Sequence, residues 1–136
     1  MTLELRPLCA ATYQLGEMAT ISEGPTGTRL ISEIVGARFE GERFKASLHG
    51  HAAADWAAIE PDGRIKIDVR LTLKTDDGAI VYVAYQGRGD TSNAFSYSAP
   101  LFETGDERYA WLTRVQAVGK SEFDGTGLTY EIYELV

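Results

Sequence analysis

Between residues 64 and 74 the chain alternates without a break. Ile65, Ile67, Val69, Leu71 and Leu73 are apolar, whereas Arg64, Lys66, Asp68, Arg70, Thr72 and Lys74 are polar. Successive side chains of a strand point to opposite faces, so this spacing predicts a strand with one buried face. It stops at Thr75-Asp76-Asp77-Gly78, where Gly78 can supply the positive φ of a tight hairpin. Asp76 and Asp77 are read as turn residues whose carboxylates serve local hydrogen bonds. Residues 79–85 then run apolar on both faces, the pattern of a return strand with a core on one side and either more core or a partner subunit on the other.

Weaker versions of the pattern fill the rest. Residues 29–39 and 43–51 flank Glu40-Gly41-Glu42 as a second hairpin. Residues 95–103 read as an edge or interrupted strand, because Pro100 has no N–H for a ladder. Residues 109–118 and 128–135, separated by Asp124-Gly125-Thr126-Gly127, read as a C-terminal hairpin, and residues 3–21 add one or two strands. Short strands at this spacing, punctuated by glycine turns, predict an all-β sandwich or barrel. A barrel leaves no exposed edges and is the preferred solution. At 136 residues the expectation is a single antiparallel β-barrel domain spanning residues 1–136.

Composition narrows the partners. With 13 basic and 20 acidic residues the net charge is −7. That field repels phosphate backbones and anionic membranes, and no basic run offsets it, so nucleic acid and membrane surfaces are excluded as expected partners. The one cysteine, Cys9, cannot form an internal disulfide and reads as a small apolar filler. The first residues carry Glu4 and Pro7 and lack the apolar core of a signal peptide, and no stretch approaches the ~20 apolar residues of a membrane span. The expectation is a soluble, cytoplasmic protein.

An ordered set of short pieces carries a resemblance: Ala54-Asp55-Trp56, Asp62-Gly63, Asp68-Val69-Arg70, Thr75-Asp76-Asp77-Gly78-Ala79-Ile80, Phe102-Glu103-Thr104 and Tyr109-Ala110-Trp111-Leu112. With this spacing the chain resembles, over nearly its whole length, the bacterial and fungal family called domain of unknown function 3237. The resemblance implies a compact antiparallel β-barrel that associates into oligomers, and it implies no settled activity. Some fungal relatives occur beside polyketide-making enzymes, which points to small-molecule work. The chain departs from the family at Leu48-His49-Gly50-His51-Ala52-Ala53, usually a Gly-rich step, and at Thr113, often Asn.

Several groups could carry chemistry. His49 and His51, the only histidines, stand two apart and would share one strand face with Lys45 and Ser47. Two imidazoles so placed hold a divalent ion in metal-binding barrels, but no third histidine exists, so no metal or other cofactor is expected; the pair reads as a solvated strand face, with His49 the candidate proton carrier. Asp55 beside Trp56 reads either as a turn-closing carboxylate with a core-capping ring or as a carboxylate beside a ring that could stack a planar ligand. Asp68 and Arg70 share a strand face, and an Arg fork could grip an anion there. Strict alternation places that face outside, and a pocket role requires it inside. Tyr109, Trp111 and Thr113 would share a face of a later strand, with Tyr130 and Ile132 near them, and read as core packing first and as an aromatic wall second. No phosphate loop, catalytic serine order or zinc spacing is present.

These residues support two functional readings, beside the plainer one of a structural oligomer with no ligand. One is a small-molecule-binding barrel whose pocket uses Trp56, Asp68, Arg70, Tyr109 and Trp111. The other is a cofactor-free lyase, isomerase or cyclase in the same pocket, with Asp55 or His49 moving the proton and Arg70 holding an oxyanion. In either case the expected partners are a small ligand and further copies of the chain.

Overall fold

A computed structural model describes all residues 1–136. Ten strands follow in order: β1 (Leu5–Gly24), β2 (Gly27–Glu40), β3 (Lys45–Leu48), β4 (Ala54–Ile59), β5 (Arg64–Thr75), β6 (Ile80–Asp90), β7 (Phe95–Ser98), β8 (Leu101–Glu103), β9 (Ala117–Phe123) and β10 (Gly127–Leu135). A 3-10 helix, Glu107–Arg114, precedes β9. All pairings are antiparallel, and β1, β2, β4, β5, β6, β7, β9 and β10 hydrogen-bond in a closed ring. The expected barrel is present.

Two ring positions are held by interrupted strands. Both β3 and β4 lie between β2 and β5, and the chain loops out between them from His49 to Ala53. Gly50 turns that loop with a φ of 77°. The two histidines therefore do not share a strand face; both are exposed in the loop. On the other side β7 and β8 both pair with β6 in one register and are broken by Ala99 and the buried Pro100, as the missing N–H predicts.

The alternation of β5 holds throughout. Ile67, Val69, Leu71 and Leu73 are buried inside the barrel, joined by Val81, Val83 and Tyr85 of β6. The outer side of β6 is a half-open apolar strip of Ile80, Tyr82 and Ala84, with Leu101 of β8 beside Ala84. The turn between β5 and β6 is tied locally: Thr75 Oγ1 donates to Asp77 at 2.6 Å, and Arg38 forks onto Asp76 at 2.7 and 2.9 Å.

The segment expected as a strand at residues 109–118 is instead the 3-10 helix, with β9 beginning only at Ala117. Asp106 caps it, its carboxylate accepting the Arg108 N–H at 2.9 Å, and that local bond outweighs the aromatic strand preference of Tyr109 and Trp111. The helix drops Leu112, fully buried, into the barrel end where Phe39, Phe44 and Phe102 pack edge to face. Arg43 lies over the Trp111 ring at 4.4 Å and also pairs with Glu134. That end of the barrel is sealed.

Candidate functional site

The other end is hollow. A cavity of about 340 Å³ opens there, lined mostly by apolar side chains including Ile34, Ile67, Val69 and Leu128. After Gln14, β1 no longer pairs with β10 and continues only against β2, so this hairpin runs past the ring. Its Leu15, Met18 and Leu30 form one wall of the mouth; Phe95 and Phe123 form another. No Lys, Arg or His lines this space.

Among these walls stands one carboxyl well inside, Asp55 of β4. Inward and outward positions alternate on β4, so Asp55, Ala57 and Ile59 face the cavity while Trp56 and Ala58 face out. Burial pushes the Asp55 carboxyl up from 3.8 to about 6, partly offset by the Asp68 backbone N–H, which donates to Asp55 Oδ1 at 3.1 Å. A group with this affinity exchanges protons near neutral pH, the range in which general acids and bases work best.

Three tyrosines meet at the cavity floor. The Tyr85 hydroxyl lies 3.0 Å from that of Tyr13 and 2.8 Å from that of Tyr130, so it can donate to one and accept from the other. Burial raises all three above the ordinary phenol value, Tyr130 to about 12, so they remain protonated donors. The paired Ser96 and Ser121 hydroxyls extend this polar floor, Ser121 bearing on Tyr130. A buried tyrosine needs a partner for its hydroxyl, and here each serves another. No local sequence signal groups these three. Parity could have marked each as inward, because Tyr13 follows Ala11, Tyr85 follows Val81 and Val83, and Tyr130 lies between Leu128 and Ile132, all inward.

Of the residues singled out from sequence, only Asp55 reaches the cavity. Trp56 is on the outer surface, where Arg70 lies over its ring at 4.3 Å. Asp68 and Arg70 point outward with it, so the requirement that Arg70 face the interior is not met; the apolar residues of β5 occupy that side. His49 is exposed in the loop after β3. Tyr109 and Trp111 belong to the sealed end: the Tyr109 O–H donates to Asp77 in the β5–β6 turn at 2.8 Å, whereas the cavity borders Ile65 and Asp90 at the far end of the same hairpin. The proposed pocket was thus drawn from three places that the fold keeps apart.

Fold and cavity define an antiparallel β-barrel, sealed at one end and hollow at the other, with Asp55 and a tyrosine cluster in the hollow. The chain belongs to the family described as protein of unknown function (DUF3237), matching it over residues 3–135. It is similar to the crystal structure of a β-barrel-like protein from Acinetobacter baumannii AYE, at 28% identity and a TM-score of 0.91, covering 100% of this chain and 98% of that one. A conserved protein of unknown function from Rhodopseudomonas palustris is similar at 26% identity and a TM-score of 0.90, covering 100% and 99%. The hydroalkoxylation enzyme phnH of Penicillium herquei is 28% identical over 112 residues, 82% of this chain and 70% of that protein. No helix is long and apolar enough to cross a membrane.

Proposed function

We propose that the hollow end binds a small, uncharged, largely apolar organic molecule, and that Asp55 moves a proton on it without a cofactor. The observation that carries this reading is the Asp55 carboxyl, held in an apolar cavity and pushed up to about 6. With no cation in the lining to meet a phosphate or carboxylate, an anionic substrate would face only Asp55 and Asp90. The reaction class best matched to one proton-exchanging carboxyl and a set of phenol donors is addition of a hydroxyl across a carbon–carbon double bond conjugated to a carbonyl. Similarity to a fungal protein named as a hydroalkoxylation enzyme supports that choice.

The steps balance without an outside reactant. The Asp55 carboxylate takes the proton of the substrate hydroxyl, and the oxygen bonds to the alkene carbon distal to the carbonyl. The π pair moves to give an enolate, whose oxygen a tyrosine O–H of the floor can stabilise by hydrogen bonding. Asp55 then returns its proton to the carbon next to the carbonyl, and the chain ends as it began.

An ortho-hydroxychalcone, which closes to a flavanone by this addition, is a suitable probe of matching size. Loss of its enone absorbance should be faster with the protein than without it, and Asp55→Asn should cut the enzymatic rate by about 10²-fold or more. A bound probe that closes equally fast in the wild type and in Asp55→Asn would remove the proton-transfer reading and leave a binding barrel.

A further inference from the structure

The hydrogen bond that orients Asp55 leaves a gap in the sheet, and the gap is filled from a third strand. Along β4 and β5 the register runs Ala54↔Arg70 and Asp55↔Val69, then resumes at Ala58↔Lys66 and Ile59↔Ile65. Trp56/Asp68 and Ala57/Ile67, the pairs that this register would form next, are missing. The cause is one diverted donor. In an unbroken antiparallel ladder the Asp68 N–H would go to the Trp56 carbonyl; here it goes to Asp55 Oδ1 at 3.1 Å. A carbonyl left without a partner inside a sheet is costly, so something must replace the lost donor. Arg29 of β2 does so: its Nη1 donates to the Trp56 carbonyl at 3.0 Å. Arg29 is aligned for this by its own pairing with Ala58, and Nη2 is steadied by Thr26 Oγ1 at 3.3 Å.

We propose that Arg29 is a positioning residue for Asp55: by occupying the Trp56 carbonyl from outside the barrel, it keeps the ladder open so that the Asp68 N–H stays on the Asp55 carboxylate. The chain of dependence is Arg29 to the Trp56 carbonyl, the Asp68 N–H, and then Asp55. A charged donor competes well for a carbonyl, which is why a guanidinium can hold open a bond that the backbone would otherwise close. Arg29 touches neither the cavity nor its contents. This inference rests on the reading of Asp55 as the group that handles the proton.

The test follows the carboxyl itself and needs no substrate. Carboxyl-carbon NMR of the full chain gives the Asp55 titration midpoint, and the Asp68 amide shift, followed over the same pH series, reports whether its N–H still rests on that carboxylate. In Arg29→Met the Asp68 N–H should return to Trp56. The Asp55 midpoint should then rise by about half a pH unit or more, and the Asp68 amide should cease to follow the Asp55 titration. Arg29→Gln, neutral but still a donor, should keep the Asp68 amide coupled, and Arg29→Leu, also without a donor, replaces Arg29→Met if that variant fails to fold. A midpoint that rises with the Asp68 amide still coupled would reduce Arg29 to a distant charge, and no change in either signal would overturn the proposal outright. In both cases the probe reaction of Asp55→Asn stands as a separate result. If Asp55→Asn is inactive while Arg29→Met leaves both NMR signals unchanged, the functional reading survives and this inference does not.

Discussion

At the sealed end of the barrel Glu134 lies buried between two cations, Arg6 and Arg43, which hold its carboxyl below the usual value. At the hollow end Asp55 has one backbone N–H and no cation, and burial holds it above the usual value. The same kind of group is thus placed in one barrel with opposite consequences. Glu134 is ionised in the fold and its partners gain from that, so its contribution is present above its unfolded pKa and is lost as acid protonates it. Asp55 favours its protonated form. Between about pH 4 and 6 the folded chain holds a proton on Asp55 that the unfolded chain has released, so its contribution to stability falls as pH rises through this window. One end uses a carboxyl to close the structure; the other keeps a carboxyl poorly solvated and reactive, at some cost in stability.

The contrast can be broken first on packing. Phe44 is 1% exposed and touches Phe39, Phe102 and Tyr109. Phe44→Ala should therefore cost about 3–5 kcal/mol in urea unfolding, the range for removing a fully buried ring. If the loss were below 1 kcal/mol, the end described as sealed would have to be as loosely packed as the hollow one.

Next comes Asp55. A rise of two units corresponds to about 3 kcal/mol at most, and partial solvent access reduces it, so Asp55→Asn should stabilise the chain at pH 8 by about 1–3 kcal/mol. The same substitution should flatten the dependence of stability on pH between about 4 and 6. Unfolding free energies of both proteins at several pH values check this. A destabilised Asp55→Asn at pH 8 would mean that the carboxylate is well satisfied in the fold and that the contrast with Glu134 is false.

How much of this was legible in the sequence follows from the range over which each pattern acts. Alternation from Ile65 to Leu73 acts through the pleat alone, so β5, its turn at Gly78 and the return strand were readable directly. The break at Pro100 was equally local. Where a strand and a short helix compete, the outcome turned on a single cap at Asp106, and the aromatic pattern of Tyr109 and Trp111 misled. The candidate site residues lie apart for a different reason. Parity along one strand says which residues share a face, but not which face of β4 aligns with which face of a strand far away in sequence. Asp55 and Trp56, neighbours in sequence, were grouped together although the pleat sends them to opposite sides of the wall. The inward tyrosines were visible to parity; that their hydroxyls meet depends on closure of the ring.

The tyrosine floor offers a smaller test. Tyr85→Phe removes the hydroxyl between Tyr13 and Tyr130 and leaves those two without their shared partner. The expected loss is about 1–2 kcal/mol of stability in urea unfolding. A neutral result would imply that water in the cavity replaces the bond, making the hollow end wetter than its apolar walls suggest.

The smallest effect is expected outside the wall, at Arg70. Its guanidinium stacks on Trp56 at 4.3 Å, and its strand neighbours across the ladder are Ala54 and Ala84, so it faces solvent rather than the cavity. Had it faced inward, replacing it by an uncharged side chain of similar reach would have removed a buried cation and any anion it held. Facing outward, Arg70→Met exchanges a cation–π contact for an apolar one over the same ring, a loss of about 0.5–1 kcal/mol or less. Probe binding in the cavity should stay within twofold of the wild type, since no atom of Arg70 lines that space. Fluorescence titration of the ortho-hydroxychalcone with the two proteins measures this directly. A tenfold loss of affinity in Arg70→Met, with stability unchanged, would put the binding site on the Trp56 face and leave the hollow end without its ligand.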